Sequence, residues 1–191
     1  MLGNSKKLLL IVAIVAVVLF FVFSNLKTRI EKNVTLEASA DKASYSAGEE
    51  VNLSLNLTNS GTADVCLSKS AIGNIMFTSF TRDGEVLETR SAPSYFLTSF
   101  SEILKSRLIP VAPDSGIELD LTSSFDPGLG VQALSTTIPE GSSGMATFYN
   151  VEELGQYKIE LVYEYVGEPS SDCADILKSP TNTATVTFTV E

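Results

Sequence analysis

The stretch Val51-Asn52-Leu53-Ser54-Leu55-Asn56-Leu57-Thr58 decides the fold class. Its apolar residues recur at every second position, the period of a strand with one buried and one wet face, whereas a helix would scatter them around its circumference. Asn59-Ser60-Gly61 then ends the run. Upstream, Val34, Leu36, Ala38 and Ala40 alternate with Thr35, Glu37 and Ser39 as a first strand. Tyr45-Ser46-Ala47-Gly48 is the intervening turn, in which Gly48 supplies a positive φ.

Downstream the same period returns. Ala63–Leu67 and Ile75–Thr81 read as strands, Arg82-Asp83-Gly84-Glu85 as a tight hairpin turn, and Val86–Thr89 as the strand that pairs back. Ile117, Leu119 and Leu121 alternate with Glu118, Asp120 and Thr122. Ala146 and Phe148 face inward on a short strand. Tyr157 to Tyr165 and Ala184 to Val190 give two more alternating runs. The pattern breaks twice. Phe96, Phe100, Ile103, Leu104 and Leu108 stand at helical spacing and predict a short amphipathic helix between Tyr95 and Leu108, packed on the flank of the sheets. Ser123–Gly144, with Asp126-Pro127-Gly128 and Pro139-Glu140-Gly141, reads as a long loop, and Gly167–Pro180 as another. Seven to nine short strands follow, which predicts an all-β chain built as an antiparallel β-sandwich.

Ahead of the strands lies a different composition. Leu8–Phe23 (LLLIVAIVAVVLFFVF) holds 16 apolar residues without a break, between Lys6-Lys7 and Ser24-Asn25-Leu26-Lys27. At about 1.5 Å per residue the run covers roughly 24 Å, and its flanks with snorkelling lysines reach the ~30 Å of a hydrocarbon core. It is longer than the apolar region of most cleaved signals, and Val22-Phe23-Ser24 is a poor cleavage site. The expected division is a signal anchor over 1–26, a stalk over 27–33 and the β-body over 34–191. The body is expected outside the cytoplasm, with the lipid bilayer engaged through residues 8–23.

The chain carries 13 Lys+Arg against 23 Asp+Glu, and the imbalance sits in the body, since Lys6, Lys7, Lys27, Arg29 and Lys32 all precede it. No Lys or Arg occurs from Leu108 to Gln156. Such a surface repels phosphate backbones, so nucleic acid is not an expected partner. The absence of His removes imidazole-based nucleophile pairs, His-ligated zinc and His acid–base chemistry. Glu118 with Asp120, and Glu160 with Glu164, lie on outward strand faces without the cleft that paired-carboxylate hydrolysis needs. Asp114, Asp126 and Glu140 lack the spacing of a calcium loop. No phosphate-binding glycine loop occurs. These readings predict no catalytic residue, cofactor or metal, and hence no enzyme.

Three further features are marked for the structure. Cys66 and Cys173 are the only cysteines and permit one disulfide in an oxidising compartment. Asn33, Asn52 and Asn56 head N-x-S/T sequons, with Asn52 and Asn56 outward on one strand, and mark possible glycosylation. Leu154-Gly155-Gln156-Tyr157-Lys158-Ile159 places a tyrosine beside a turn.

The segment Ser44-Tyr45-Ser46-Ala47-Gly48-Glu49-Glu50-Val51 and the alternating run after it resemble the entry into the second strand of Ig-like domains on microbial membrane-anchored or cell-surface proteins. The Leu154–Ile159 segment is similar to the E–F corner of those folds. The resemblance implies that Tyr157 is a structural tyrosine corner whose hydroxyl ties back to the backbone. The chain departs from antibody-type domains in having no Trp and in carrying Cys66 beyond the second strand. The expected function is a non-catalytic, membrane-anchored binding module, an accessory subunit with a protein partner in or at the membrane. Alternatives are a pilin-like filament subunit, although Leu8 stands where that family has Glu, and a secreted Ig-like protease inhibitor.

Overall fold

The computed structural model describes residues 33–94, 99–140, 143–177 and 179–191. The expected anchor over 1–26, most of the stalk and Phe96 lie outside the described residues. Among the described residues no helix is long and apolar enough to cross a membrane.

The described chain is all-β apart from one short helix. Its strands are β1 (Val34–Ala40), β2 (Ser44–Tyr45), β3 (Asn52–Asn59), β4 (Val65–Ser68), β5 (Ile75–Arg82), β6 (Glu85–Val86) and β7 (Thr89–Ser94). Helix α1 (Phe100–Ser106) follows, then β8 (Leu108–Val111), β9 (Gly116–Thr122), β10 (Ser124–Asp126), β11 (Val131–Glu140), β12 (Ser143–Asn150), β13 (Gly155–Tyr163) and β14 (Ala184–Val190).

They form four sheets, ordered β1-β3-β9, β2-β14-β13-β5-β6, β10-β11-β12-β7 and β4-β8. All neighbours are antiparallel except β2 and β14. The leucines of the deciding stretch act as their period requires. Leu53, Leu55 and Leu57 are buried, with Leu36 of β1 and Leu119 and Leu121 of β9 beside them. Tyr157, Ile159 and Leu161 of β13 and Val186, Phe188 and Val190 of β14 belong to the same apolar core. Each fully buried side chain of this size contributes roughly 1.5–3 kcal/mol of transfer free energy. The third sheet joins through Tyr149, whose ring lies 5.0 Å from Phe80 and 5.1 Å from Phe77 of β5.

Local signals hold where a turn has one solution. Asp83 and Gly84 both take positive φ, 53° and 85°, as the two-residue hairpin between β5 and β6 demands. Gly48 lies at φ 79°, but Tyr45 is not a turn residue. It forms β2, is buried, and sets its ring edge-on to Phe188 at 5.5 Å.

Three further expectations are corrected. The strands number fourteen among the described residues, because the chain folds several very short hairpins and edge pieces into its sheets. Ser123–Gly144 is not a loop: it contains β10, β11 and the start of β12. The neighbours Ala133 and Leu134 are both buried, as are Thr136 and Thr137, so both faces of β11 are covered and no alternation marks it. The described helix is only Phe100–Ser106, and Leu108 lies on β8. Phe100 and Leu104 are buried beneath Gly73, so α1 offers no apolar face to a membrane or partner.

Candidate functional site

The sequence-marked residues are dispersed. Cys66 on β4 and Cys173 in the β13–β14 connection form a disulfide, with 5.6 Å between Cα atoms. Both are buried, and the Cys66 N–H also donates to Asp175 O at 2.9 Å. Asn33 is exposed at the foot of β1, while Asn52 and Asn56 stand on β3 between β1 and β9. Thr122 Oγ1 donates to Asn52 Oδ1 at 2.7 Å, and Asn56 is exposed between Glu37 and Glu118. The Tyr157 hydroxyl donates to Glu153 O at 2.7 Å, and its ring stacks on Phe188 at 5.0 Å. Burial raises its hydroxyl pKa above the ordinary value.

The carboxylates do not converge. Glu118 and Asp120 project from β9 into solvent, and Glu160 accepts from Lys158 Nζ at 2.6 Å. Asp126 is occupied: Arg90 Nε and Nη2 donate to it at 3.1 and 2.5 Å, and Leu129 N at 2.7 Å. Among the described residues no three acidic or thiol groups gather to hold a metal ion.

Two features absent from the sequence reading organise the surface. The first is a pin through the third sheet. Arg90 on β7 passes over the Phe148 ring at 4.7 Å and reaches Asp126 on β10, so one side chain links the sheet's two outer strands. The Arg90 guanidinium, foremost, holds the Asp126 carboxyl below its usual range. Gly128 leaves room for that guanidinium, since a Cβ there would lie 2.5 Å from Arg90 Cζ. This sheet presents Phe125, 61% exposed, and a cross-strand row of Ile138, Met145 and Pro93 in which Ile138 is 48% exposed. The second feature is a cleft of about 380 Å³ between the β5–β6 hairpin, Leu129 and the turn at Asn150–Glu153. Val86 stands at its lip, 82% exposed. Arg82 is paired with Glu153, which also accepts from Asn150 Nδ2 at 3.0 Å. An isolated arginine in an acidic body and a valine after an Asp-Gly turn were the only sequence signals for either.

No family model matches the chain, and no curated protein does. Among solved structures it is similar to one titled "AvmM Catalyzes Macrocyclization in Alchivemycin A Biosynthesis", at 12% identity and a TM-score of 0.29, over 84% of this chain and 89% of that one. A chain of the CaDoc0917–CaCohA2 complex is similar at 16% identity and a TM-score of 0.24, over 81% of this chain and 100% of that one. At these values the likeness identifies neither an activity nor a partner here. It does correct one expectation. Exclusion of enzymatic function rested on missing His and scattered carboxylates, and a protein titled as a catalyst among the structural neighbours removes that exclusion without establishing any activity.

Proposed function

We propose that residues 34–191 form an Ig-like β-sandwich that serves as a protein-binding module, held at a membrane by residues 8–23 as an accessory subunit of a membrane or cell-surface complex. The apolar run before the body supports the anchor. The facing contributions of β1-β3-β9 and β2-β14-β13-β5-β6 to one core, with the Tyr157 hydroxyl bonded to the Glu153 backbone, support the Ig-like sandwich.

The observation that carries the binding role is the third sheet. Its strands come from the β6–α1 and β9–β13 intervals, it is pinned by Arg90 and Asp126, and it keeps Phe125 and Ile138 in water. Apolar side chains kept exposed on a paired sheet are what a protein interface uses as anchors. The test is extraction of the native chain in mild detergent, with mass spectrometry of its N-terminus and of co-migrating proteins. A retained Met1–Phe23 segment with a stoichiometric partner is expected. A cleaved, solitary chain overturns the reading.

A further inference from the structure

We propose that the cleft beside Val86 docks an extended segment of a protein partner carrying a lysine or arginine flanked by apolar residues. The inference rests on the binding-module reading and names the partner chemistry.

The backbone supplies the first argument. β6 is the outermost strand of its sheet. Leu87 N donates to Phe80 O at 3.1 Å, which makes Phe80 and Leu87 a hydrogen-bonded pair. Antiparallel alternation then turns the N–H and C=O of Val86 away from β5, toward the open edge. An incoming extended segment meets one donor and one acceptor there, the minimal form of strand addition.

The side chains supply the second. Val86, Leu87 and Leu129 give the cleft an apolar wall, and Glu85 and Glu88 stand on its rim. Among the described residues neither glutamate enters an ion pair, whereas the one cation, Arg82, is already neutralised by Glu153. The cleft therefore carries an uncompensated charge of about −2. A Lys or Arg side chain satisfies both halves, its methylene stem on the apolar wall and its charge at the rim. A volume of about 380 Å³ accommodates such a side chain with its neighbours. A metal ion would not use the apolar wall, and a nucleic acid would meet a net negative charge.

The probe is the peptide acetyl-Thr-Val-Lys-Val-Thr-amide, titrated into the isotope-labelled full chain in detergent micelles while backbone amide shifts are read. Saturable shifts confined to Val86, Glu88, Leu129 and their neighbours are expected. Binding should weaken about tenfold when Lys is replaced by Glu in the peptide, in the doubly substituted E85Q/E88Q chain, and when the peptide's Lys amide is N-methylated. Equal binding of the Glu peptide, or shifts centred elsewhere, overturns the proposal. So does dimerisation of the chain alone that E85Q/E88Q abolishes, because the occupant is then a second copy. The N-methylated peptide tests strand pairing without altering the protein. Failure at the cleft together with a stoichiometric membrane partner overturns the cleft alone, and a bound peptide with no such partner overturns the accessory-subunit reading alone.

Discussion

The side-chain amide of Asn182 takes the place of a neighbouring strand for Leu36. Leu36 N donates to Asn182 Oδ1 at 2.8 Å, and Asn182 Nδ2 donates to Leu36 O at 3.0 Å. The outer edge of β1 is thus closed at this residue by a side chain from just before β14. Substituting N182A should cost about 1–2 kcal/mol, because two hydrogen bonds are lost but the freed backbone groups regain water. N182D keeps the acceptor but sets a carboxylate oxygen against Leu36 O where the amide donated, and should cost at least as much as N182A. Urea unfolding of the three proteins measures the order.

The Cys66–Cys173 disulfide spans 107 residues of sequence. In the chain-entropy description a loop of that length contributes about 4–5 kcal/mol. The C66S/C173S double variant should therefore unfold at markedly lower urea, and reduction of the native protein should reproduce the shift. A change below about 1 kcal/mol would place the stability of the β4 region in its packing alone.

Arg90 and Asp126 give a pH-dependent contribution. The folded carboxyl lies below its ordinary 3.8, so its stabilisation is present above the unfolded value and is lost as pH falls through the folded one. R90M should cost about 2–3 kcal/mol at neutral pH, the lower side for a broken buried pair because the Arg90 side chain is one-third exposed. R90M/D126L should recover much of that loss and flatten the acid limb. Thermal unfolding between about pH 3 and 7 reads both effects.

Five tyrosines, Tyr149 among them, act at the opposite end of the pH scale, each raised foremost by burial. Burial pushes Tyr45 and Tyr165 up to about 12, and raises Tyr157 and Tyr163. The folded chain keeps protons that an unfolded chain releases near 10, so the tyrosines' contribution to stability is constant below about pH 9 and declines as pH rises from 10 toward 12. Y165F should lose about 1 kcal/mol at neutral pH with its bond to Glu168 O, yet decline less steeply above pH 10. Unfolding followed by fluorescence from pH 8 to 12 provides the comparison.

Gly73 carries the contact between β4–β5 and α1. It lies at φ 79°, and a Cβ there would stand 2.7 Å from Phe100 Cζ and 2.9 Å from Leu104 Cδ2. G73A combines backbone strain with overpacking and should cost about 2–4 kcal/mol, measured by denaturant unfolding.

What the sequence made legible follows from how each strand is covered. β1, β3, β9 and β14 have one buried and one wet face, so Leu36, Leu53, Leu119 and Val186 announce themselves by period. β11 does not, because Ala133 and Leu134 are covered on opposite faces and Ser135, Thr136 and Thr137 blur what remains. Its Pro139 reads as a loop residue, yet it sits beyond the three residues that β10 pairs, where a strand tolerates proline. The surface features were hidden for another reason. The reach of Arg90 to Asp126 across 36 residues, and of Asn182 to Leu36 across 146, depends on sheet order, which no local pattern records.

A chain with only two cysteines has a single intramolecular pairing open to it, so no isomerase has to correct a wrong choice within one molecule. Cys66 nevertheless leaves the ribosome long before Cys173 and must wait, as a lone thiol, until most of the body has been made. The error available to it in that interval is capture by another molecule's thiol. Crowding during synthesis is therefore the condition under which covalent dimers would accumulate.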